Sequence, residues 1–211
     1  MSLDGVYEAI LDGNANAATA ETQAAVDAGV SAPEILQQAC IPAMTEVGRL
    51  FEIGEIFVPQ MLISARAMKM SLEILKPLLV DSEVQTVGKV VIGTVAGDLH
   101  DIGKNLVAIM LEGAGFEIID LGTDTSPEAF VDAVQEHKPD LLGMSALLTT
   151  TLPGIGETIE ALTKAGVRGN IKIIIGGAPV TQEFANKVGA DGFAPDAGSA
   201  PRLAKSLLGV A

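Results

Sequence analysis

The feature that most restricts how this chain can fold is a change in the period of its apolar residues near position 80. Before it, they recur at helical spacing: Ile35, Ala39, Ala43, Val47 and Leu50 along one segment, then Met61, Leu62, Ala65, Met68, Leu72 and Leu75 along the next. The spacing predicts four helices, over residues 3–11, 15–28, 32–51 and 59–79. Ser31 and Pro33 give a cap-and-start signal, and Gly29 closes the helix before them. Four helices with brief loops make a small bundle.

After the change, short continuous apolar runs alternate with helical segments. Strands are expected over 89–95, 116–120, 141–145 and 171–175, with a short fifth at 191–194. Helices are expected over 101–112, 127–137, 153–165, 181–188 and 201–208. Strands that are apolar throughout suit a sheet covered by helices on both faces. The alternation predicts a doubly wound, five-stranded parallel sheet of the flavodoxin-like (Rossmann-type) kind, an α/β fold following an N-terminal four-helix bundle. The expected division is a helical-bundle cap domain over 1–80, a polar linker over 81–88 and an α/β domain over 89–211.

Composition excludes several functions. The net charge of −14 repels a polyanion, and no basic patch offsets it; aromatics are 3% and Trp is absent, so stacking on bases is not available. No nucleic-acid partner is expected. The longest apolar runs are strand-sized, so no membrane span is expected either. Cys40 is the single cysteine, so no intramolecular disulfide can form. With no secretory leader pattern, this points to the cytoplasm. Cys40 and the methionines Met44, Met61, Met68 and Met70 read as core filling.

The chemistry concentrates in the loop after the first expected strand, Gly97-Asp98-Leu99-His100-Asp101-Ile102-Gly103. A doubly wound fold binds its ligand there. Neither GxxxxGK[ST] nor GxGxxG is present, so it is not a phosphate loop of those types. It places a carboxylate two residues before an imidazole at a helix entry. Such a pair can act as a carboxylate–imidazole–metal chain, in which the carboxylate fixes the tautomer and raises the basicity of the other nitrogen. Zinc needs three or four protein ligands, whereas a metal carried by a macrocycle needs one. On this loop alone, a structural or acid–base histidine is the plainer reading.

Two further segments change that reading. Asp98-x-His100-x-x-Gly103 is followed after 41 residues by Ser145-x-Leu147, and after 28 more by Gly176-Gly177. The three parts fall at the ends of three expected strands. Together they resemble the signature of the cobalamin-binding domain of methionine synthase, the corrinoid-dependent mutases and the corrinoid proteins of methyl-transfer systems. The helical half is similar to the cap module that precedes this domain in methionine synthase and its corrinoid-protein relatives, on Val47-Gly48-Arg49-Leu50-Phe51-Glu52-x-Gly54-Glu55-x-Phe57-Val58-Pro59-Gln60. The mutases lack that cap.

The resemblance implies roles. His100 is the lower axial ligand of cobalt in a cobalamin or related corrinoid, carried as methylcobalamin when loaded. Asp98 bonds its other nitrogen, and the Thr151 hydroxyl continues the chain. Ser145 and Thr149 hydrogen-bond the displaced nucleotide tail, and Leu147 packs on it. Gly103, Gly176 and Gly177 admit the tail, with Phe193 and Ala194 at its edge. Gly97, Leu99, Asp101 and Ile102 complete the lower loop. Phe51 and Val58 lie over the reactive face of the corrin. The implied function is a corrinoid carrier subunit, not catalytic alone, that takes a methyl group from a donor-specific methyltransferase and presents it to an acceptor methyltransferase. A reductive activation protein is a third implied partner. The alternatives are the cobalamin-binding small subunit of a mutase, a cobalamin-dependent sensor, and a scaffold that retains the motif without the cofactor.

Overall fold

A computed structural model describes residues 2–79 and 86–210. Of the expected linker, residues 81–85 lie outside the described residues. The chain divides after Gln85 into two compact units, with the stretch Gly113–Gly115 grouping with the first.

The first unit is helical: α1 (Asp4–Leu11), α2 (Ala15–Asp27), α3 (Ala32–Ile35), α4 (Ile41–Glu52) and α5 (Val58–Leu79). Helix α2 packs on α1 and α5, and α4 on α1 and α5. Ser31 caps α3 by accepting from the Glu34 N–H. The third expected helix is continuous from α3 to α4 but contains a π-helical turn, Leu36–Cys40, in which the Ile41 N–H bonds the Leu36 carbonyl. The sequence supplies the reason at Pro42. Proline has no N–H to return to the preceding turn, and its ring crowds the carbonyl four residues back. A wider turn before it relieves that crowding. Small residues fill the core between the helices: Ala9, Ala18, Ala25, Ala39, Ala43 and Ala67 are buried, with Met44, Met61 and Met68 packed among them.

The second unit is a five-stranded, all-parallel sheet in the order β2-β1-β3-β4-β5. Its strands are β1 (Lys89–Thr94), β2 (Glu117–Asp120), β3 (Leu141–Ser145), β4 (Lys172–Gly176) and β5 (Gly192–Phe193). Its helices are α6 (Ile102–Gly113), α7 (Pro127–His137), α8 (Pro153–Lys164), α9 (Gln182–Val188) and α10 (Ala200–Leu208). The doubly wound expectation is met. Strand β5 is two residues long, shorter than the expected 191–194. The side-chain period of two sends Val91, Leu142, Met144, Ile173 and Ile175 into one cluster with Phe130 of α7 and Ile155, Ile159 and Leu162 of α8. Burying a side chain such as Phe130 contributes about 2 kcal/mol. Gly93 makes room for it, since a Cβ there would lie 2.8 Å from the ring.

The direction in which strands are added to the sheet reverses at β1. From β1 the chain crosses to β2 at one edge, then returns past β1 to β3. This puts the topological switch point, where sheets of this kind have their ligand crevice, between the loops leaving β1 and β3.

Candidate functional site

Both loops bordering that crevice carry expected site residues. Strand β1 ends at Thr94, and the chain turns through Gly97 at φ 76°, a left-handed conformation that glycine adopts without strain. Asp98 follows with a fully buried side chain, whereas that of His100 is half exposed.

A buried carboxylate is tolerated only when donors surround it. Asp98 has four. Its Oδ1 accepts from the His100 N–H at 3.1 Å and lies 2.7 Å from His100 Nδ1. Its Oδ2 accepts from the Leu147 N–H and the Thr151 hydroxyl, both at 2.7 Å. The Thr151 hydroxyl also lies 3.0 Å from the Leu148 carbonyl. With one proton to give, it favours the charged partner. Burial pushes the Asp98 carboxyl up, but the bonds from Thr151, Leu147 and His100 outweigh it and hold the group well below the usual carboxylate range. Because Asp98 is ionised, the proton between it and His100 sits on Nδ1. In that tautomer Nε2 is the ring atom left to meet a metal.

Among the described residues, no group of three or more His, Cys, Asp or Glu side chains is placed to hold a metal ion. His100 thus offers a single ligand with an oriented ring. That donor set fits a metal whose other positions are filled by a macrocycle. The two loops also expose apolar side chains: Leu99 and Ile102 are about three-quarters exposed, with Leu147 and Leu148 at 40% and 42%. Exposed apolar residues concentrated around one polar ligand suit a large, partly apolar partner.

The three motif glycines sit in different surroundings. A Cβ on Gly103 would meet nothing within 4 Å, so open space lies beside it. On Gly176 it would lie 3.3 Å from the Ala194 carbonyl oxygen. On Gly177, at φ 125°, it would fall 1.9 Å from the Ala146 carbonyl oxygen. Gly177 is therefore required by the protein's own backbone, a reason separate from room for a ligand. Ser145 ends β3 half-buried, its carbonyl accepting from the Val95 N–H at 3.0 Å, and Thr149 is exposed in the following turn. Phe193 packs on the sheet core and Ala194 is buried beside Gly176. Asp101 accepts from the Asn105 side chain at 3.1 Å at the entry to α6. In the helical unit, Phe51 and Val58 are half-buried, while Ile53 and Phe57 are 52% and 64% exposed.

Sequence reasoning missed four contributors. The Leu147 N–H, on a residue expected only to pack, bonds the carboxylate from 49 residues away. Thr94, fully buried, donates its hydroxyl to the His100 carbonyl at 3.0 Å. Asp124 accepts from the Gly97 N–H at 2.7 Å. Lys104, buried one residue beyond Gly103, pairs with Asp120 at the end of β2. A threonine closing a strand and a lysine adjoining the motif were the available signals. Asp124 offered none.

Two family profiles, each described as a B12 binding domain, match the chain, one over residues 2–76 and the other over residues 88–203. A corrinoid protein of Desulfitobacterium hafniense is 41% identical over 210 residues, spanning 98% of this chain and 97% of its own length. Dimethylamine corrinoid protein 1 of Methanosarcina acetivorans is 46% identical over 176 residues, 83% of each chain. Among solved structures, a chain of the methanol:cobalamin methyltransferase complex of Methanosarcina barkeri superposes with a TM-score of 0.87 at 33% identity, over 98% of this chain and 79% of that one.

Proposed function

The chain belongs to the B12 binding domain family, alongside the corrinoid proteins of methyltransferase systems, and on that premise we propose that it is the corrinoid carrier of such a system, with His100 Nε2 as the axial ligand to cobalt. The observation that carries the ligation is the 2.7 Å contact between His100 Nδ1 and the buried, ionised Asp98, which leaves Nε2 free and oriented. When bound, the corrinoid supplies a cobalt that accepts and releases a methyl group. This chain's residues do the holding. Asp98 and Thr151 fix the ring and its tautomer, and Leu99, Ile102 and Leu147 offer apolar contact. Gly103 and Gly176 would leave backbone clear for the nucleotide tail, and Ser145 and Thr149 would be its hydrogen-bonding partners.

Partner methyltransferases supply the donor and acceptor sites. Relatives are named for dimethylamine and trimethylamine, and a similar chain comes from a methanol:cobalamin methyltransferase complex. In this reading donor choice belongs to a donor-specific partner methyltransferase. A reductive activation protein and a cytoplasmic setting complete the reading. Among the described residues, no helix is long and apolar enough to cross a membrane. The mutase and sensor alternatives are not favoured, because the helical half matches a B12-binding profile of its own and the relatives are corrinoid proteins of methylamine and methanol systems.

The test is ligation itself. Protein made with 15N-histidine and loaded with cob(II)alamin is expected to change the ligand-nitrogen splitting of the cobalt EPR signal from a triplet to a doublet. His100→Ala is expected to abolish that change. A triplet in the labelled protein, or a doublet that persists in His100→Ala, would overturn the assignment.

A further inference from the structure

The Gly97-Asp98 dipeptide is held on both sides by one residue outside its own loop, Asp124. The Asp124 carboxylate accepts from the Gly97 N–H at 2.7 Å, and the Asp124 N–H donates to the Asp98 carbonyl at 3.0 Å. These two bonds bracket the peptide from which the Asp98 side chain departs. Asp124 makes both because its backbone is left-handed, at φ 54°, a region that non-glycine residues seldom enter and Asp tolerates better than most. Its loop is in turn knitted to β1: the Thr94 N–H donates to the Gly122 carbonyl at 3.0 Å, and the Thr125 N–H to the Thr94 carbonyl at 2.9 Å. Val95 and Thr125 extend the parallel pairing by one bridge. At the root of that loop, Asp120 accepts from Lys104 and from the Gly122 N–H. The loop after β2 is therefore anchored on both sides before it reaches residues 97–98.

We infer that Asp124 is a positioning residue for corrinoid ligation, clamping the backbone on either side of the Gly97–Asp98 peptide so that the Asp98 carboxylate meets Leu147, Thr151 and His100 before any cofactor arrives. This rests on the assignment of His100 as axial ligand. The reason for a separate clamp is the exposure of the ligand. The His100 side chain is half exposed and belongs to no helix or strand, so its position depends on the backbone two residues earlier. A ring delivered already oriented loses less conformational freedom on ligation, which raises affinity without adding a contact to the cofactor.

The glycine variant separates positioning from folding. Asp124→Gly removes the carboxylate but adopts positive φ more readily than aspartate. Asp124→Asn keeps an acceptor oxygen and tolerates the same backbone. Titrated with hydroxocobalamin, Asp124→Gly is expected to bind roughly 10-fold more weakly, within the range for loss of a residue supporting a metal ligand. It should show a smaller histidine-ligated fraction in its visible spectrum and a melting temperature of the cofactor-free protein close to that of the unaltered chain. Asp124→Asn is expected to restore affinity to within about 2-fold, since it restores the acceptor. Unchanged affinity and spectrum in Asp124→Gly would overturn the inference, as would an affinity loss that merely accompanies a general loss of near-UV circular dichroism. If the unaltered protein itself shows no histidine-ligated spectrum, the axial-ligand assignment fails. If it does and Asp124→Gly matches it, only the positioning role fails.

Discussion

The helical unit and the α/β unit each bury a titratable group, and they treat it oppositely. Cys40, in the π-helical turn, is fully buried, and burial pushes its thiol up to about 12, so it stays neutral and inert. Asp98 is buried just as completely, yet four donors keep it charged. Polar burial elsewhere in the helical unit is also neutral: Thr22 donates to Ser71 at 2.9 Å and Ser64 to the Leu11 carbonyl at 3.0 Å. A polar atom whose role ends with packing needs one neutral partner. A carboxylate that stays charged when buried needs an array of donors, and the backbone and side chains at the strand ends supply it. Close backbone approach and a buried charge gather in the α/β unit at β1, β3 and β4, where the ligand is expected.

The comparison can be broken most forcefully at its glycines. Gly177→Ala would drive a Cβ into the Ala146 backbone at a positive φ, and a loss of about 3 kcal/mol in unfolding free energy is expected from denaturant titration. Gly103→Ala meets nothing and lies in the first turn of α6. The cofactor-free protein should gain about 0.5 kcal/mol, while corrinoid affinity falls as the tail's path narrows. Equal losses of stability in both variants would erase the distinction between a glycine the fold needs and one the ligand needs.

A smaller effect is expected at Thr151. Thr151→Val keeps the shape but removes one donor from the buried carboxylate, at a cost of about 2 kcal/mol. The loss of a proton-donating partner also raises the folded-state Asp98 pKa toward its unfolded value, so the acid-induced loss of stability should be smaller and complete at a higher pH than in the unaltered chain. A group whose carboxyl is depressed on folding stabilises above its unfolded pKa and loses that contribution as pH falls through the folded value. Thermal melts carried from pH 7 down to about pH 2 would show it, and a Thr151→Val curve that stays parallel to that of the unaltered chain below the unfolded carboxylate pKa would contradict it.

The smallest effect belongs to the helical unit. The Cys40 pKa is raised on folding, so its contribution is complete below the unfolded value and lost as pH climbs toward the folded one. Near pH 10 the loss is about 1 kcal/mol. It should vanish in Cys40→Ala, which has no thiol to ionise. In the unaltered protein the thiol should resist iodoacetamide at pH 8 until the chain unfolds, and ready alkylation of the native form would show that the helical unit does not shield it.

Much of the fold was legible from period alone. The helices of the first unit and the alternation of the second follow from where apolar residues recur, because burial selects side chains by position on a face. The departures have local causes. Pro42 accounts for the π turn within what reads as one helix, and β5, an edge strand, spans only Gly192–Phe193. The site was legible as far as its side chains are distinctive. Asp98, expected to bond His100 and Thr151, lies 2.7 Å from His100 Nδ1 and from the Thr151 hydroxyl.

What the sequence by itself determined is the set of groups that only particular side chains can supply: an imidazole, a carboxylate beside it, a hydroxyl 53 residues on, and glycines at the strand ends. What only the tertiary structure decided is how backbone groups complete that set. The Leu147 N–H, the His100 carbonyl held by Thr94, and the Gly97 and Asp98 peptide atoms held by Asp124 belong to the main chain. Nearly every residue carries the same N–H and C=O, so nothing in the letters distinguishes the few that will face a buried carboxylate. Their selection is made by the crossover that sets β1 beside β3 and turns both loops toward one crevice.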